Sequence, residues 1–221
     1  MINLNNKRIY CLPSEKLSTN IIKELAAAKA STKKDFPKYM RAIGEILSIS
    51  EAPITTESKL FLAGFIEGEG SLNVSAKKLN TATFGLMLDP EFSITQHVNG
   101  VETLYLAMSI FKTGRISYKS GSNATLVFVI DNRQSIEEKV LPFLQKYVTP
   151  YGSAFKKQRM ESFKKVLTLL KDNAHTDLGR FISQLLPEWD ALRMQEEQKN
   201  ESFKSLKDAQ EYVQTFCKIE S

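Results

Sequence analysis

Two acidic side chains stand two residues apart in a segment made otherwise of small and apolar residues. The segment reads LAGFIEGEG and spans residues 62–70, with Glu67 and Glu69 as its acids. Carboxylate oxygens are hard ligands that suit Mg²⁺, which completes its coordination shell with water and with phosphate oxygens of a substrate. Metal-assisted chemistry on a phosphate is therefore the first possibility that these residues raise.

The element that must position the two acids is a helix. Residues 58–68 are good helix formers, with Thr56 or Ser58 available as the cap and Glu57 in the first turn. Glu67 and Glu69 then lie at the carboxyl end, where the helix dipole disfavours anions. We therefore expect something cationic to compensate them.

The same helix carries two glycines on one side. Gly64 and Gly68 are four residues apart, and Ala63 lies beside them. Small residues allow another backbone to approach closely, and the approaching element is either a second copy of the helix or the chain's own sheet. In a twofold pair of helices, two Glu69 carboxylates would meet, and divalent metals would relieve their repulsion.

The pattern around this helix predicts an α+β fold with the order αββαββα. Alternation predicts a strand over 71–77 and a second over 84–96, bent at Asp89-Pro90, before a helix over 101–111. A second hairpin follows at 115–119 and 124–130, and Ser135 with Glu138 predicts a capping box for the next helix.

Helices are expected on both sides of this core. Apolar spacing predicts two before it, at 18–30 and 36–49, and three after it, at 155–172, 177–197 (kinked at Pro187) and 205–217. We divide the chain into an N-terminal helical extension (1–54), a core (55–150) and C-terminal helices packed on the core (151–221).

Composition narrows the classes of function. The 221 residues carry a net charge of +5, and residues 1–40 hold eight Lys or Arg against three acids, which suits a polyanionic partner. Only two cysteines and two histidines are present, so a disulfide framework, a Cys-based zinc site and a His-rich nuclease centre are disfavoured. No apolar run is long enough to cross a bilayer, and no membrane partner is expected.

The nine-residue segment resembles the signature of LAGLIDADG homing endonucleases, with EGEG where DGDG is commoner. The blocks FSITQHVNGVETLYL, FKTGRI, SGSNATL and DNRQSIEEKVLPF are similar to single-motif enzymes encoded by introns in green-algal chloroplast large-subunit ribosomal RNA genes. One motif per chain implies a homodimer whose αββαββα halves place a saddle-shaped sheet over DNA. It also implies Ala63, Gly64 and Gly68 at the dimer interface.

The resemblance also assigns site residues. It implies that Glu69, helped by the carbonyl of Gly68, binds the catalytic metal, with Mg²⁺ as cofactor, Mn²⁺ able to substitute and no small-molecule cofactor. Gln96 matches a glutamine that orders solvent around the metals, although a polar residue at a strand end is the plainer interpretation. His97 is either a neighbour of the site or a lone histidine without a role.

A lysine of the catalytic site is expected at the start of the helix after residue 150. Lys157 is our choice, with Lys156 close behind, because Gly152-Ser153 looks inserted relative to the family. An arginine that the family places four residues after the glutamine would fall at Gly100 here, so its role is absent or supplied from elsewhere.

Alternation along the strands predicts a polar face that reads DNA in the major groove, the alternative being a solvent-exposed polar sheet. The predicted DNA-binding residues are Ser71, Asn73, Ser75, Lys77, Glu91, Ser93, Arg115, Ser117, Lys119, Asn123 and Thr125. Further phosphate contacts are expected from Lys156, Lys157, Arg159, Lys164 and Lys165, and from the basic residues of the N-terminal extension.

Three functions remain in competition. The first is a site-specific double-strand DNA endonuclease that cuts an intronless large-subunit ribosomal RNA gene by metal-dependent hydrolysis, leaves 3′ overhangs and promotes intron homing. The second is an RNA maturase that assists group I intron splicing, and the third is a noncatalytic DNA-binding relative. The presence of Glu69 and Gln96 favours the first. By resemblance the compartment is the chloroplast, and no transit or signal peptide is recognised at the N-terminus.

Overall fold

The structure is a computed structural model that describes residues 9–32, 35–193 and 202–220. Its core elements follow the order αββαββα and confirm the α+β class. They are α3 (Thr56–Glu69), β1 (Gly70–Lys78), β2 (Leu86–His97), α4 (Val101–Phe111), β3 (Arg115–Tyr118), β4 (Thr125–Ile130) and a helical run, α5, over residues 133–148.

Five further helices were expected around this core, and the structure has them close to the predicted positions. α1 (Thr19–Ser31) and α2 (Phe36–Leu47) precede it; α6 (Ala154–Lys171), α7 (residues 178–191) and α8 (Leu206–Glu220) follow it. The helix predicted over 177–197 ends at Ala191, and residues 194–197 lie outside the described residues. None of the helices in the described ranges is both long and apolar enough to span a membrane.

Two helices, α5 and α7, contain a proline beyond their first turn, and both adjust their hydrogen bonding around it. α5 has π-helical turns at Ile136–Val140 and Leu144–Val148 on either side of the turn that contains Pro142. α7 has a π-helical turn at Phe181–Leu185, directly before the turn with Pro187. Proline lacks the N–H that an α-helix needs, so the hydrogen-bond register shifts at these points. The predicted kink at Pro187 stays a prediction.

The predicted cap of α5 is wrong. Ser135 and Glu138 were expected to form a capping box, but the Asn132 side chain caps α5 by accepting from the Ser135 N–H at 2.8 Å. Asparagine is among the best N-terminal caps, and it stands three residues ahead of the serine.

The four strands form one sheet in the order β1-β2-β4-β3, which leaves β1 and β3 as its edge strands. β4 runs antiparallel to both of its neighbours. Val127 of β4 lies opposite Thr95 of β2 on one side and opposite Ser117 of β3 on the other. Burial alternates along β1 and β2, so one face of these strands packs inward and the other carries polar groups.

The described chain falls into two compact units. The first comprises residues up to 71, 92–130 and 138–151; the second comprises 72–91, 131–137 and 152 onward. Each unit draws on separate stretches of the chain. The linear division at 54 and 150 stays a prediction about how the chain is organised.

The first unit has a core of aliphatic and phenylalanine side chains. Phe111 of α4 contacts Phe92, Phe128 and Phe143, with ring centroids 5.2–6.2 Å apart. Leu62 and Ile66 of α3 are buried in this unit. α3 is therefore held by its apolar side in the core while its other side is left open.

The second unit is built on Trp189, which is fully buried in α7. Phe203 lies against the indole at 6.4 Å, and Tyr212 of α8 lies against Phe203 at 5.4 Å. The C-terminal helices thus share a core with β1 and the first half of β2, which belong to the same unit.

Candidate functional site

The acid-bearing helix α3 begins at Thr56, two residues before the predicted range 58–68, and neither Thr56 nor Ser58 is its N-terminal cap. Thr55 is the cap, and it forms a reciprocal capping box with Ser58: the Ser58 N–H donates to Thr55 Oγ1 and the Thr55 N–H donates to Ser58 Oγ. A hydrogen bond with the Thr55 side chain also lowers the pKa of Glu57 in the first turn. This end of α3 is well fixed.

One side of α3 is open. A side chain added at Gly64 or Gly68 would meet no atom within 4 Å among the described residues. Leu60 and Phe61 on the same helix are 48% and 59% exposed, although both are apolar. The chain's own sheet therefore does not occupy the glycine side, which was one of the two possibilities left by the sequence.

Ala63 behaves differently from the two glycines. It is only 4% exposed, so its methyl group belongs to the core of its own unit, and its expected place at the open interface is corrected. The reason is helical geometry: adjacent positions point about 100° apart, so residues 63 and 64 cannot both face outward at the centre of one side.

Gly70 is required for a different reason. A side chain there would lie 2.6 Å from the carbonyl oxygen of Ile66, so only glycine fits where α3 passes into β1. Its N–H bonds that same carbonyl and closes the helix.

The two acids of the segment lie at this carboxyl end, as predicted. Glu69 is exposed, Glu67 is partly buried, and the last turn of α3 contains no basic residue. Within the described part of the chain, no cluster of three His, Cys, Asp or Glu side chains could hold a metal ion by itself. The anionic helix end is therefore uncompensated by its own last turn.

Gln96 lies at the end of β2, in the same unit as Glu69. Its side-chain oxygen accepts from the His97 N–H at 2.7 Å. A side chain at Gly100 would lie 3.0 Å from the Gln96 amide, so this turn has little room for the arginine that the family resemblance would place there. Gln96 is thus held against a glycine turn.

His97 caps the short 3₁₀ turn that follows β2. Its Nδ1 accepts from the Asn99 N–H at 3.3 Å, while its Nε2 is buried and has no hydrogen-bond partner in the described residues. The structure gives His97 a local capping role.

The two candidate lysines belong to the other unit, on the first turn of α6. Ser153 caps this helix by accepting from the Lys156 N–H at 3.2 Å. Lys157 is exposed and Lys156 partly buried. A cation at the start of a helix is disfavoured by the dipole, so an anion outside the helix would stabilise it.

The polar face predicted for the sheet exists. The predicted residues on β1 through β4 and in the connecting turn are all partly or fully exposed. The alternation adds two residues of β2 that the sequence did not single out, Asp89 and Thr95. Asp89 was interpreted as part of a bend with Pro90; counting back by two from Glu91 would have found it.

Lys77 and Asn123 are among the residues of this face that already bind other groups of the chain. Lys77 Nζ lies 2.6 Å from a carboxylate oxygen of Asp89. Asn123 donates through its side-chain amide to the Pro13 carbonyl at 3.3 Å, and its own carbonyl accepts from the Leu17 N–H at 2.8 Å. Asn123 therefore ties the N-terminal segment to the second hairpin.

The basic residues of α6 differ from the prediction of a row of phosphate contacts. Arg159 is 9% exposed; it donates to the carbonyls of Leu72 at 2.8 Å and Leu192 at 2.7 Å. Its burial lowers its pKa. Lys164 and Lys165 are exposed to different degrees and pair with Glu161 and Glu188. The prediction for Arg159 is wrong because its guanidinium holds β1 from inside the unit.

The other edge strand, β3, is held by Tyr39 of α2. The buried hydroxyl accepts from the Ile116 N–H at 3.0 Å and donates to the Ile116 carbonyl at 3.2 Å. Burial raises the pKa of Tyr39, partly offset by its backbone hydrogen bond and by the charge of Arg115. Both strands that border the polar face are thus fixed by side chains far away in sequence.

These features agree with known proteins. The profile of the LAGLIDADG endonuclease family matches residues 62–167. The DNA endonuclease I-CeuI of Chlamydomonas moewusii is 51% identical over 208 residues, which cover 93% of this chain and 95% of that protein. This chain belongs to the LAGLIDADG endonuclease family.

Solved structures of this family agree with the assignment. The group I intron-encoded homing endonuclease I-CeuI complexed with DNA matches with a TM-score of 0.88 at 50% identity, covering 92% of this chain and all of that one. An archaeal intron-encoded homing endonuclease complexed with DNA matches with a TM-score of 0.64 at 28% identity, covering 73% and 97%. The predicted resemblance is confirmed, and the chain is a DNA-binding enzyme of the LAGLIDADG homing endonuclease class.

Proposed function

We propose that this LAGLIDADG protein cuts both strands of one long pseudo-palindromic DNA site as a homodimer, by metal-dependent phosphodiester hydrolysis that leaves 3′ overhangs, and thereby promotes intron homing. The inferred target is an intronless large-subunit ribosomal RNA gene and the inferred compartment is the chloroplast. The high identity to an algal DNA endonuclease supports this choice.

The observation that carries the proposal is the open side of α3. Two glycines with empty space beside them and two exposed apolar side chains, Leu60 and Phe61, form a surface that a second helix can cover. Exposed apolar surface of this kind favours association, and glycines allow close approach of two backbones. A second α3 related by a twofold axis brings the same residues to both sides of the contact.

The same pairing would place two Glu69 carboxylates near one axis. The donor set is oxygen only, a carboxylate with the carbonyl of Gly68 in the last helical turn, and no basic residue of that turn competes for it. These groups fit Mg²⁺, with Mn²⁺ as a substitute. When bound, the metal would supply charge stabilisation at the scissile phosphate and lower the pKa of an attacking water.

The protein's own residues have separate tasks in this proposal. Gln96 keeps its amide N–H groups for solvent near the phosphate, since its oxygen is held by the His97 N–H. Lys157, with Lys156 as the alternative, provides a cation toward the phosphate from the start of α6. The polar face contacts the major groove through Ser71, Asn73, Ser75, Lys77, Glu91, Ser93, Arg115, Ser117, Lys119, Asn123 and Thr125.

The direct test is cleavage of a plasmid that bears the intronless ribosomal RNA gene. Addition of Mg²⁺ should give one double-strand break with 3′ overhangs, and EDTA should prevent it. Absence of cleavage together with faster splicing of the parent intron would overturn the proposal in favour of the RNA maturase. Absence of both, with DNA binding retained, would indicate a noncatalytic relative.

The catalytic acid is tested by Glu69→Gln. We expect cleavage to fall by about a thousandfold, the upper end of the loss seen when a group that stabilises developing charge is removed, while DNA affinity persists. Glu57→Gln is the matched control, since it makes the same change at the other, exposed end of α3. Wild-type rates in Glu69→Gln would show that the wrong carboxylate was chosen.

The interface is tested by Gly64→Leu. Within one chain the new side chain meets empty space and removes a helix glycine, so the monomer should unfold at the same temperature or a higher one. The dimer, in contrast, should dissociate, and cleavage should be lost with it. Sedimentation on duplex DNA measures both states; one wild-type copy per duplex would contradict the homodimer.

A further inference from the structure

An ion pair lies on the polar face of the second unit, outside the catalytic acids. Lys77 is the last of the predicted DNA-binding residues on β1, and Asp89 belongs to the neighbouring strand β2. Lys77 Nζ lies 2.6 Å from Asp89 Oδ2. Their side chains are 54% and 35% exposed, so both remain accessible. Ser75 Oγ also donates to the Asp89 carbonyl at 3.5 Å, which ties this residue to β1 a second time.

A carboxylate on a DNA-binding face has few acceptable neighbours. It only accepts hydrogen bonds, and backbone phosphates repel it, so its favourable partners are the amino groups of cytosine N4 and adenine N6 in the major groove. A lysine beside it donates to guanine O6 and N7. The pair as a whole has no net charge and therefore adds little to nonspecific attraction.

The spacing of the pair matches one base pair. In a G·C pair, O6 and N4 are hydrogen-bonded to each other and lie about 2.9 Å apart, an acceptor beside a donor. Lys77 and Asp89 present a donor beside an acceptor at 2.6 Å, the complementary order.

The other groups on the major-groove edges disfavour a T·A base pair at this position. With thymine opposite Lys77, the C5-methyl group would replace the second acceptor, and adenine N7 would lie next to the carboxylate and repel it. Guanine opposite Lys77 offers N7 and O6 together, and cytosine places no acceptor next to N4 on its major-groove edge. The pair therefore discriminates G·C from T·A as well as from the reversed C·G.

We propose that Asp89 is a specificity-determining residue, which together with Lys77 reads a single G·C base pair in each half of the target. This inference rests on the proposed function, because it requires a DNA duplex on the polar face. It assigns a base-reading role to an acid that sequence patterns placed in a bend.

The test uses duplexes that carry the wild-type cut site, with each base pair replaced in turn by the other three. Binding is measured without Mg²⁺ for the wild type and for Asp89→Asn. We expect one position per half-site to lose about tenfold of its preference for G·C, with all other positions unchanged. An unchanged preference, or an equal loss at every position, would overturn the inference.

A second variant guards against a folding defect. The exchange Lys77→Asp with Asp89→Lys keeps an ion pair between the strands but reverses donor and acceptor, so the preferred pair at that position should become C·G. Retention of G·C would overturn the inference. Glu211→Gln is the control, since it removes an exposed carboxylate that belongs to α8 and lies 3.7 Å from Lys207 of the same helix.

Failure of the wider function gives a different result. A wild-type protein that selects no sequence from these duplexes would remove the proposed function and this inference together. A wild-type protein that selects its site, with both variants keeping its pattern, would remove only the role of Asp89.

Discussion

The two edge strands of the sheet are held in chemically different ways. On β1, the carbonyls of Leu72 and Val74 accept from the Arg159 guanidinium and the Trp189 indole, both of which only donate. On β3, one hydroxyl, that of Tyr39, serves both the N–H and the carbonyl of Ile116. A guanidinium and an indole keep their protons at any ordinary pH, whereas a phenol can lose its own. The two edges should therefore fail under different conditions.

The largest effect is expected from Arg159→Met. The change leaves two buried carbonyls, at Leu72 and Leu192, without their charged donor, and should lower the free energy of unfolding by about 3 kcal/mol. Arg159→Lys keeps one donor at a time and should lose about half as much. Urea denaturation measures both; equal stability of Met and wild type would show that water replaces the donor.

Tyr39→Phe should have the next largest effect. It removes one oxygen and leaves both backbone groups of Ile116 unsatisfied, at a cost of about 2 kcal/mol. Tyr105→Phe is the matched control, because the Tyr105 hydroxyl donates only to the Met40 carbonyl, and about 1 kcal/mol is expected there. Equal losses at the two positions would contradict the double role of Tyr39.

The pH dependence separates the two edges more sharply. The raised pKa of Tyr39 means that the unfolded chain loses this proton first, so stability is complete below about pH 10 and falls as pH rises from there through the folded-state pKa. The stability difference between wild type and Tyr39→Phe should shrink over this range by about 1.4 kcal/mol for each unit of pKa shift. Denaturation of both proteins between pH 8 and pH 11 measures it. A difference that stays constant would show that the hydroxyl does not ionise before unfolding.

The smallest effect is expected from Asn123→Ala. The hydrogen bond from its side-chain amide to the Pro13 carbonyl is exposed and 3.3 Å long, so the free energy of unfolding should fall by about 0.5 kcal/mol. Proteolysis of the segment 9–17 should nevertheless become faster, because one of its ties to the hairpin is gone. Unchanged proteolysis would mean that the Leu17 hydrogen bond is sufficient by itself.

Local patterns predicted the part of the fold that local forces determine. The α3 helix, the alternation on β1 and the order αββαββα follow from spacing within a few residues, and the structure confirms them. The helix caps were less secure, since Thr55 and Asn132 each compete with hydroxyl residues within three positions.

The residues of the candidate site could be placed from the sequence only where neighbouring residues determine the position of the side chain. The positions of Glu69 at the end of α3 and of Gly64 and Gly68 on its open side were predicted in this way, and their roles stay predictions. Arg159 was misjudged because a lysine-rich stretch suggests a surface, whereas its hydrogen bonds depend on strands and turns that are 87 and 33 residues away. Asp89 was missed because its neighbour Pro90 is a typical turn residue, yet here proline lies within a strand.

The bond between Tyr39 and Ile116 has a consequence for shortened forms of this protein. Removing α1 and α2 would also remove the Tyr39 hydroxyl that hydrogen-bonds the backbone of Ile116 on the edge strand β3. An edge strand with unpaired backbone groups is a template for pairing with another chain. Such a truncated protein should polymerise through added strands well before its DNA contacts could be assayed. We therefore expect the N-terminal helices α1 and α2 to limit aggregation through this strand edge.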